Sequence, residues 1–156
     1  HRYGLEMKAL MSLGHPGESP ETVQDTIDWL LAVRPADFDC TIITAYPGSP
    51  YYDRAVPVTV PEPPYQVWAF QTNTDYLYMQ DIDYAKTADF YKGGMDSYRS
   101  YVWSDFLSRD ALVQARDTVE RTVRDELGIP YYHAQPATQF EASMGQLSGT
   151  LLRSGV

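Results

Sequence analysis

Only one cysteine, Cys40, stands in the 156 residues. A lone thiol forms no internal disulfide and supplies too few ligands for a cysteine-only metal site. That usage points to a reducing, cytoplasmic setting. Basic residues are also scarce: 12 Lys and Arg against 21 Asp and Glu leave a formal net charge of -9. Such a surface repels nucleic acid phosphates and anionic bilayers, so neither is an expected partner. The three histidines, His1, His15 and His133, have no ligand-like spacing, and no metal site is expected from them. No apolar run approaches the roughly 20 residues that cross a membrane, and "HRYGLEMKAL" lacks the apolar stretch of a signal peptide. Without an initiator methionine ahead of His1, the chain reads as an excerpt of something longer.

What is present suits a globular domain: 44% apolar residues and 13 tyrosines are enough for a core. "MKALMSL", Met7 to Leu13, is a short apolar run of the kind that forms a strand covered on both faces. A helix follows, with Ser19 as N-cap, Pro20 in its first position and Glu21 where the macrodipole favours a negative charge. Val23, Ile27, Leu30 and Leu31 share one face, and Arg34 before Pro35 marks the end. "FDCTIITA", Phe38 to Ala45, reads as a second strand, so the order strand, helix, strand predicts a parallel crossover unit. Both strands lead into Pro-Gly turns, Gly14 to Glu18 and Tyr46 to Pro50. Those turns fall at the carboxyl edge where α/β sheets and barrels place ligands.

Beyond residue 55 the pattern changes. Prolines in "VPVTVPEPPY" suit an extended linker over 56–64. A hairpin is predicted around Asn73-Thr74-Asp75. A helix is expected from its N-cap Ser108 to Leu127, with Leu112, Ala115, Val119, Val123 and Leu127 on one face and Gly128 ending it. The division is therefore 1–55, a linker over 56–64, an α+β extension over 65–128 and an irregular tail over 129–156. Trp68, Trp103 and the tyrosines near them read as hairpin core before cavity lining. Asp81-Ile82-Asp83 reads as a solvated acidic turn before a cation site, and Cys40 as an inert strand residue. "GHPGES" lacks the lysine and spacing of a Walker loop.

The paired motifs "MSLGHPGESPETVQDTIDWL" and "DCTIITAYPGSPYYDRA" resemble the late part of the radical S-adenosylmethionine (SAM) fold. There a strand runs into Gly-x-Pro-Gly-Glu-Thr, a helix follows, and the next strand ends in Pro-Gly-Thr-Pro. The likeness covers roughly residues 1–55. Ser19 and Ser49 stand where that superfamily usually has threonine, and His15 replaces a commonly apolar residue. Tyr91 to Leu127 more loosely resembles the segment after the barrel in cobalamin-binding radical SAM proteins.

The resemblance implies an α/β fold comprising the last strand-helix-strand units of a partial (β/α) barrel, followed by the small α+β extension. It implies SAM as cofactor, an iron-sulfur cluster whose Cys-x3-Cys-x2-Cys ligands lie outside this chain, and, from the looser match, cobalamin. Partners would be the amino-terminal remainder of the same enzyme and a small-molecule substrate. Met11, Leu13, Gly14, His15, Pro16, Gly17 and Glu18 from the first turn, with Thr44, Ala45 and Tyr46 from the second, would form the SAM surface. Glu18 would brace its turn, and the glycines would let backbone approach a flat ligand. Methyl transfer or ring formation is the implied reaction, with a tRNA methylthiotransferase as a related reading. A non-catalytic α/β interaction domain is the alternative from another class.

Overall fold

The computed structural model describes residues 4–59, 65–73, 75–83 and 97–131, together with positions 87, 90 and 95. Strand β1 (Lys8–Leu13), helix α1 (Pro20–Val33) and strand β2 (Asp37–Ile42) form the expected unit. The two strands pair in parallel, from Lys8 opposite Asp37 to Leu13 opposite Ile42. Ser19 caps α1 as anticipated, exchanging hydrogen bonds with Thr22, and Arg34 closes it in the left-handed region at φ 51°. Val23, Ile27 and Leu30 are buried, while Leu31 packs at the core margin.

The first strand departs from the reading as doubly covered. Ala9 and Leu13 are buried, but Leu10, between them, is 76% exposed. Leu10 and its partner Asp39 point away from the buried Ala9, Leu13, Phe38 and Cys40, so only one face of the pair is enclosed by the described residues, and the outer edge of β1 carries no partner strand among them.

A short helix α2 (Pro50–Asp53) leads to strand β3 (Val56–Val58), the outermost member of a second sheet. That antiparallel sheet runs β3, β4 (Val67–Gln71), β5 (Tyr76–Gln80), β6 (Val102–Ser104). The start of the supposed linker is thus an edge strand; Pro57, lacking an N–H, is tolerated there because only one side of β3 is paired. The β4–β5 hairpin turns where expected, between Gln71 and Tyr76. Leu77, Met79 and Val102 from one face of this sheet enter the same apolar core as β1, β2 and α1. The architecture is mixed α/β with two small open sheets and no closed barrel among the described residues. None of the described helices is long and apolar enough to cross a membrane. His1, His133 and residues 132–156 of the tail lie outside the described residues.

Helix α3 (Arg109–Leu127) has the predicted caps, Ser108 and Gly128, and buries Leu112, Val119 and Val123. It packs on α1 and β2. Arg116, Glu120 and Arg124, at i, i+4 and i+8, are buried beside that apolar stripe. They serve the backbone of β2 on the side away from β1. Cys40 N–H donates to Glu120 Oε1 at 3.0 Å, and Arg116 Nε donates to the Cys40 carbonyl at 3.1 Å. Arg124 Nη2 donates to the Phe38 carbonyl at 2.8 Å. Tyr98 completes the row: its hydroxyl accepts from Ile42 N–H at 3.0 Å. Side chains therefore occupy the positions a third strand would take. Burial of bare strand donors and acceptors would otherwise be costly.

The charges on α3 are mutually held. Arg124 Nε meets Glu120 Oε2 at 2.6 Å, and its Nη1 lies 3.4 Å from Asp37. Replacing Glu120 by alanine leaves the Cys40 N–H without its acceptor and takes one of several partners from Arg124, which keeps Asp37 and two carbonyls, so a loss of about 1.5 to 3 kcal/mol in denaturant unfolding is expected; a loss below about 1 kcal/mol, the range of an exposed pair, would show that the row is dispensable. Burial works against the Asp37 carboxylate, but hydrogen bonds from Lys8 and Phe38 N–H, with the charges of Lys8 and Arg124, hold its pKa below the usual range. Its contribution is therefore complete above the unfolded carboxylate pKa and lost as pH falls through the lower folded value, below about 4. Asp37→Asn should flatten the acid limb of a stability-versus-pH curve; an unchanged limb contradicts this.

Candidate functional site

Because β1 and β2 run parallel and in register, their carboxyl ends share one rim, and both Pro-Gly turns rise from it. Side chains bridge the turns. His15 Nδ1 lies 3.4 Å from the Tyr51 hydroxyl, and its Nε2 lies 2.9 Å from Ser12 Oγ. Tyr51 in turn packs edge-on against Phe70 of β4, with ring centroids 5.2 Å apart. Strand, helix α2 and hairpin thus converge on the rim.

The glycine N–H groups of both turns are already engaged. Gly14 N–H donates to Glu18 Oε2 at 3.1 Å, and Glu18 Oε1 also accepts from the Thr22 hydroxyl, so Glu18 does brace its turn. Gly17 N–H donates to Asp75 Oδ2 at 2.6 Å, and Gly48 N–H to Asp53 Oδ1 at 3.1 Å. Each glycine amide is satisfied by a carboxylate of the same chain. A phosphate cradle needs such donors open, so that reading of the turn is excluded by the geometry.

Gly14 has a different reason for being glycine. At φ 86° it occupies a region side chains rarely adopt, and a Cβ there would lie 3.2 Å from Ile42 Cγ2 and 3.4 Å from Val102 Cγ2. The close approach at Gly14 is made by the protein's own core. Gly17 has open space around it.

The remaining expected contact residues are distributed around this rim. Leu13 is buried and Met11 packs beside the core, while His15 is exposed and Pro16 half-buried. Ala45 is buried, Thr44 is half-buried, and the Tyr46 ring meets Phe90 edge-on at 6.3 Å. Tyr46 N–H folds back on the Thr44 carbonyl at 3.0 Å. The N–H groups of Thr44 and Ala45 have no acceptor among the described residues. Thr44 and Ala45, like His15, therefore hold backbone N–H groups without an acceptor among the described residues, whereas the glycine donors are taken.

Ser12 and His15 are hydrogen-bonded, yet they do not form a hydrolytic centre: the group behind His15 is the neutral Tyr51, where a carboxylate would be needed to orient and stabilise the ring. Cys40 is buried, and burial, with Glu120 nearby, pushes its thiol up to about 12 against the pull of Arg116. It is a poor metal ligand or nucleophile in that state. No group of three or more potential metal ligands occurs among the described residues. Asp81 is only 7% exposed, so the Asp81-Asp83 segment is not the solvated turn anticipated. Compared with protein families, curated proteins and solved structures, the chain matches none of them.

Sequence reasoning missed Asp75, Tyr51 and Phe70 as rim residues. Asp75 is 4% exposed and ties the hairpin turn to Gly17, while its carboxylate also accepts from the Thr72 hydroxyl. Asp75→Ala should cost about 1.5 to 3 kcal/mol, the range for hydrogen bonds to charged groups. It should also speed hydrogen exchange at Gly17 while leaving Gly14, held by Glu18, unchanged. Equal exchange at Gly17 in both proteins would refute the anchoring role.

Proposed function

We propose that this chain is the late, carboxyl-terminal portion of a radical SAM enzyme and contributes one side of its SAM surface. The observation that carries the reading is the shared rim: two parallel strands end side by side in Pro-Gly turns, bridged by His15 and Tyr51. The two sheet edges are consistent with it. Among the described residues the outer edge of β1 is open for a preceding strand, whereas α3 and Tyr98 close the outer edge of β2, as befits the last strand of a series.

An iron-sulfur cluster does not fit these residues, since the one thiol is buried within β2; its ligands would belong to the amino-terminal remainder. SAM fits better at Thr44 and Ala45, whose open N–H groups can meet acceptor atoms, flanked by the Tyr46 ring. SAM bound to such a cluster supplies a 5'-deoxyadenosyl radical in this superfamily. The present residues would bind and orient the nucleoside, and the hairpin, anchored through Asp75, would stand beside it and help exclude water. Cobalamin and a methyl-transfer or ring-forming reaction rest on the looser resemblance after Tyr91.

An interaction domain is the second reading, favoured by one observation: the turn donors are spent on internal carboxylates, while Leu5, Met7 and Leu10 are exposed along and before β1. Two measurements separate the readings. Amide shift mapping with millimolar SAM should move Thr44, Ala45 and Tyr46 saturably and leave α3 unmoved. The reading frame ahead of His1 should encode Cys-x3-Cys-x2-Cys. A reading frame without that motif, or SAM shifts scattered away from the rim, overturns the enzyme proposal.

A further inference from the structure

We propose that Tyr78, with Asp105 as its proton acceptor, is a redox-active tyrosine near the outer end of an aromatic file that starts at the rim. The inference rests on the reading of the rim as a place where a carbon-centred radical is handled. It gives the second sheet a task, which is to carry a misdirected oxidising equivalent away to the surface.

Strand β5 alternates core residues with rings on its other face. Leu77 and Met79 are buried, while Tyr76 and Tyr78 stack with centroids 5.9 Å apart and planes 23° from parallel. Trp103 lies opposite Tyr78 on β6 and stacks on it at 5.8 Å and 21°. These separations fall in the favoured range for ring pairs. The Arg109 guanidinium adjoins both Trp103, at 4.6 Å, and Tyr101, at 6.0 Å. From Tyr101 the contacts pass edge-on to Phe90 at 6.2 Å, and from Phe90 to Tyr46 at 6.3 Å. The file thus runs from Tyr46 on the rim to Tyr76, which is 38% exposed. Electron transfer weakens steeply with distance, so closely spaced rings can relay a charge that isolated rings would hold in place.

The hydroxyl of Tyr78 sets it apart. It donates to Asp105 Oδ1 at 3.0 Å, while Asp105 Oδ2 accepts from the Tyr76 N–H at 3.2 Å, which holds the carboxylate in place. Burial, then the Asp105 carboxylate, raises the Tyr78 pKa, so the ring is a neutral phenol that has to shed a proton when it loses an electron. Asp105 stands ready to take that proton. Tyr98 and Tyr131 do not match this arrangement: Tyr98 meets only the Ile42 backbone, and Tyr131 meets Asp125 at 2.7 Å but adjoins no ring among the described residues. The Arg109 charge disfavours a cation radical on Trp103, so the oxidising equivalent settles on Tyr78. In the full step Tyr46 gives its hydroxyl hydrogen atom to a carbon-centred radical, which closes as a C–H bond. An electron from Tyr78 then reduces the Tyr46 phenoxyl, which takes a proton from water, while the Tyr78 proton passes to Asp105. A thiol in solution restores Tyr78 by giving it a hydrogen atom, and Asp105 releases its proton to water.

The test tethers a ruthenium tris-bipyridine photo-oxidant to the rim of the whole chain through His15→Cys, the buried Cys40 staying unlabelled. With a cobalt(III) electron acceptor present, each flash leaves one oxidising equivalent at the rim, and a nitroso spin trap records where it goes as adducts located by peptide mass. Adducts should concentrate on Tyr78 and Tyr76, several-fold above Tyr131, and the Tyr78 radical should form more slowly in D2O. Asp105→Asn, which keeps an acceptor atom but not a base, should lower the Tyr78 adduct several-fold. Tyr78→Phe should return trapping to Tyr46; the pattern in the unaltered file decides the matter if a variant does not fold. Adducts confined to Tyr46 and Tyr51, equal trapping at Tyr131 and Tyr78, or an unchanged yield in Asp105→Asn overturns the role. The tethered complex supplies the oxidant, so this result stands apart from whether the rim binds SAM.

Discussion

The backbone of β2 is satisfied on one side by a strand and on the other by side chains, and the rest of the chain is arranged around that second row. Arg116, Glu120 and Arg124 reach the strand from α3, and Tyr98 reaches it from a loop. The arrangement fixes how α3 lies: its four-residue charge spacing has to keep step with residues 38 and 40 of the strand, while Tyr98 takes residue 42. With the helix held there, its neighbouring stripe of Leu112, Val119 and Val123 is carried into the core against α1. Packing and hydrogen bonding thus specify the same placement, a mark of a sequence with one favoured structure.

The same placement shapes the rim. Leu112 from α3 and Val102 from β6 close on Gly14, which leaves no room for a side chain there. The turn that follows is tightened from within by Glu18 and from the hairpin by Asp75. A chain with a net charge of -9 can spend carboxylates in this way. The result is a braced rim whose glycine donors are internal struts, while Thr44 and Ala45 beside it keep N–H groups with no acceptor among the described residues.

Much of the fold was legible because it rests on local signals. Ser19, Pro20 and Arg34 mark the ends of α1, Ser108 and Gly128 those of α3, and the hairpin turns at the expected polar triplet. The misreadings share a physical cause: each depends on what the rest of the chain brings nearby. Apolar Leu10 reads as buried until one face of the parallel pair proves uncovered, and Pro57 reads as a break until β3 proves to be paired on one side. Arg116, Glu120 and Arg124 went unread, although their four-residue spacing beside an apolar stripe was a signal. Asp75 gives no such sign, because its partner, Gly17, is 58 residues away.

The unequal borders of the parallel pair set a polarity on any assembly built through it. Among the described residues, the border left for addition is Lys8–Leu13, because the opposite one is filled by arginine, glutamate and tyrosine. Two copies meeting there about a twofold axis would use up the vacancy on each, and the combined ribbon would present a sealed border at both extremities. Growth through this sheet then halts at a pair, where a ribbon with two vacant borders would propagate into a fibre.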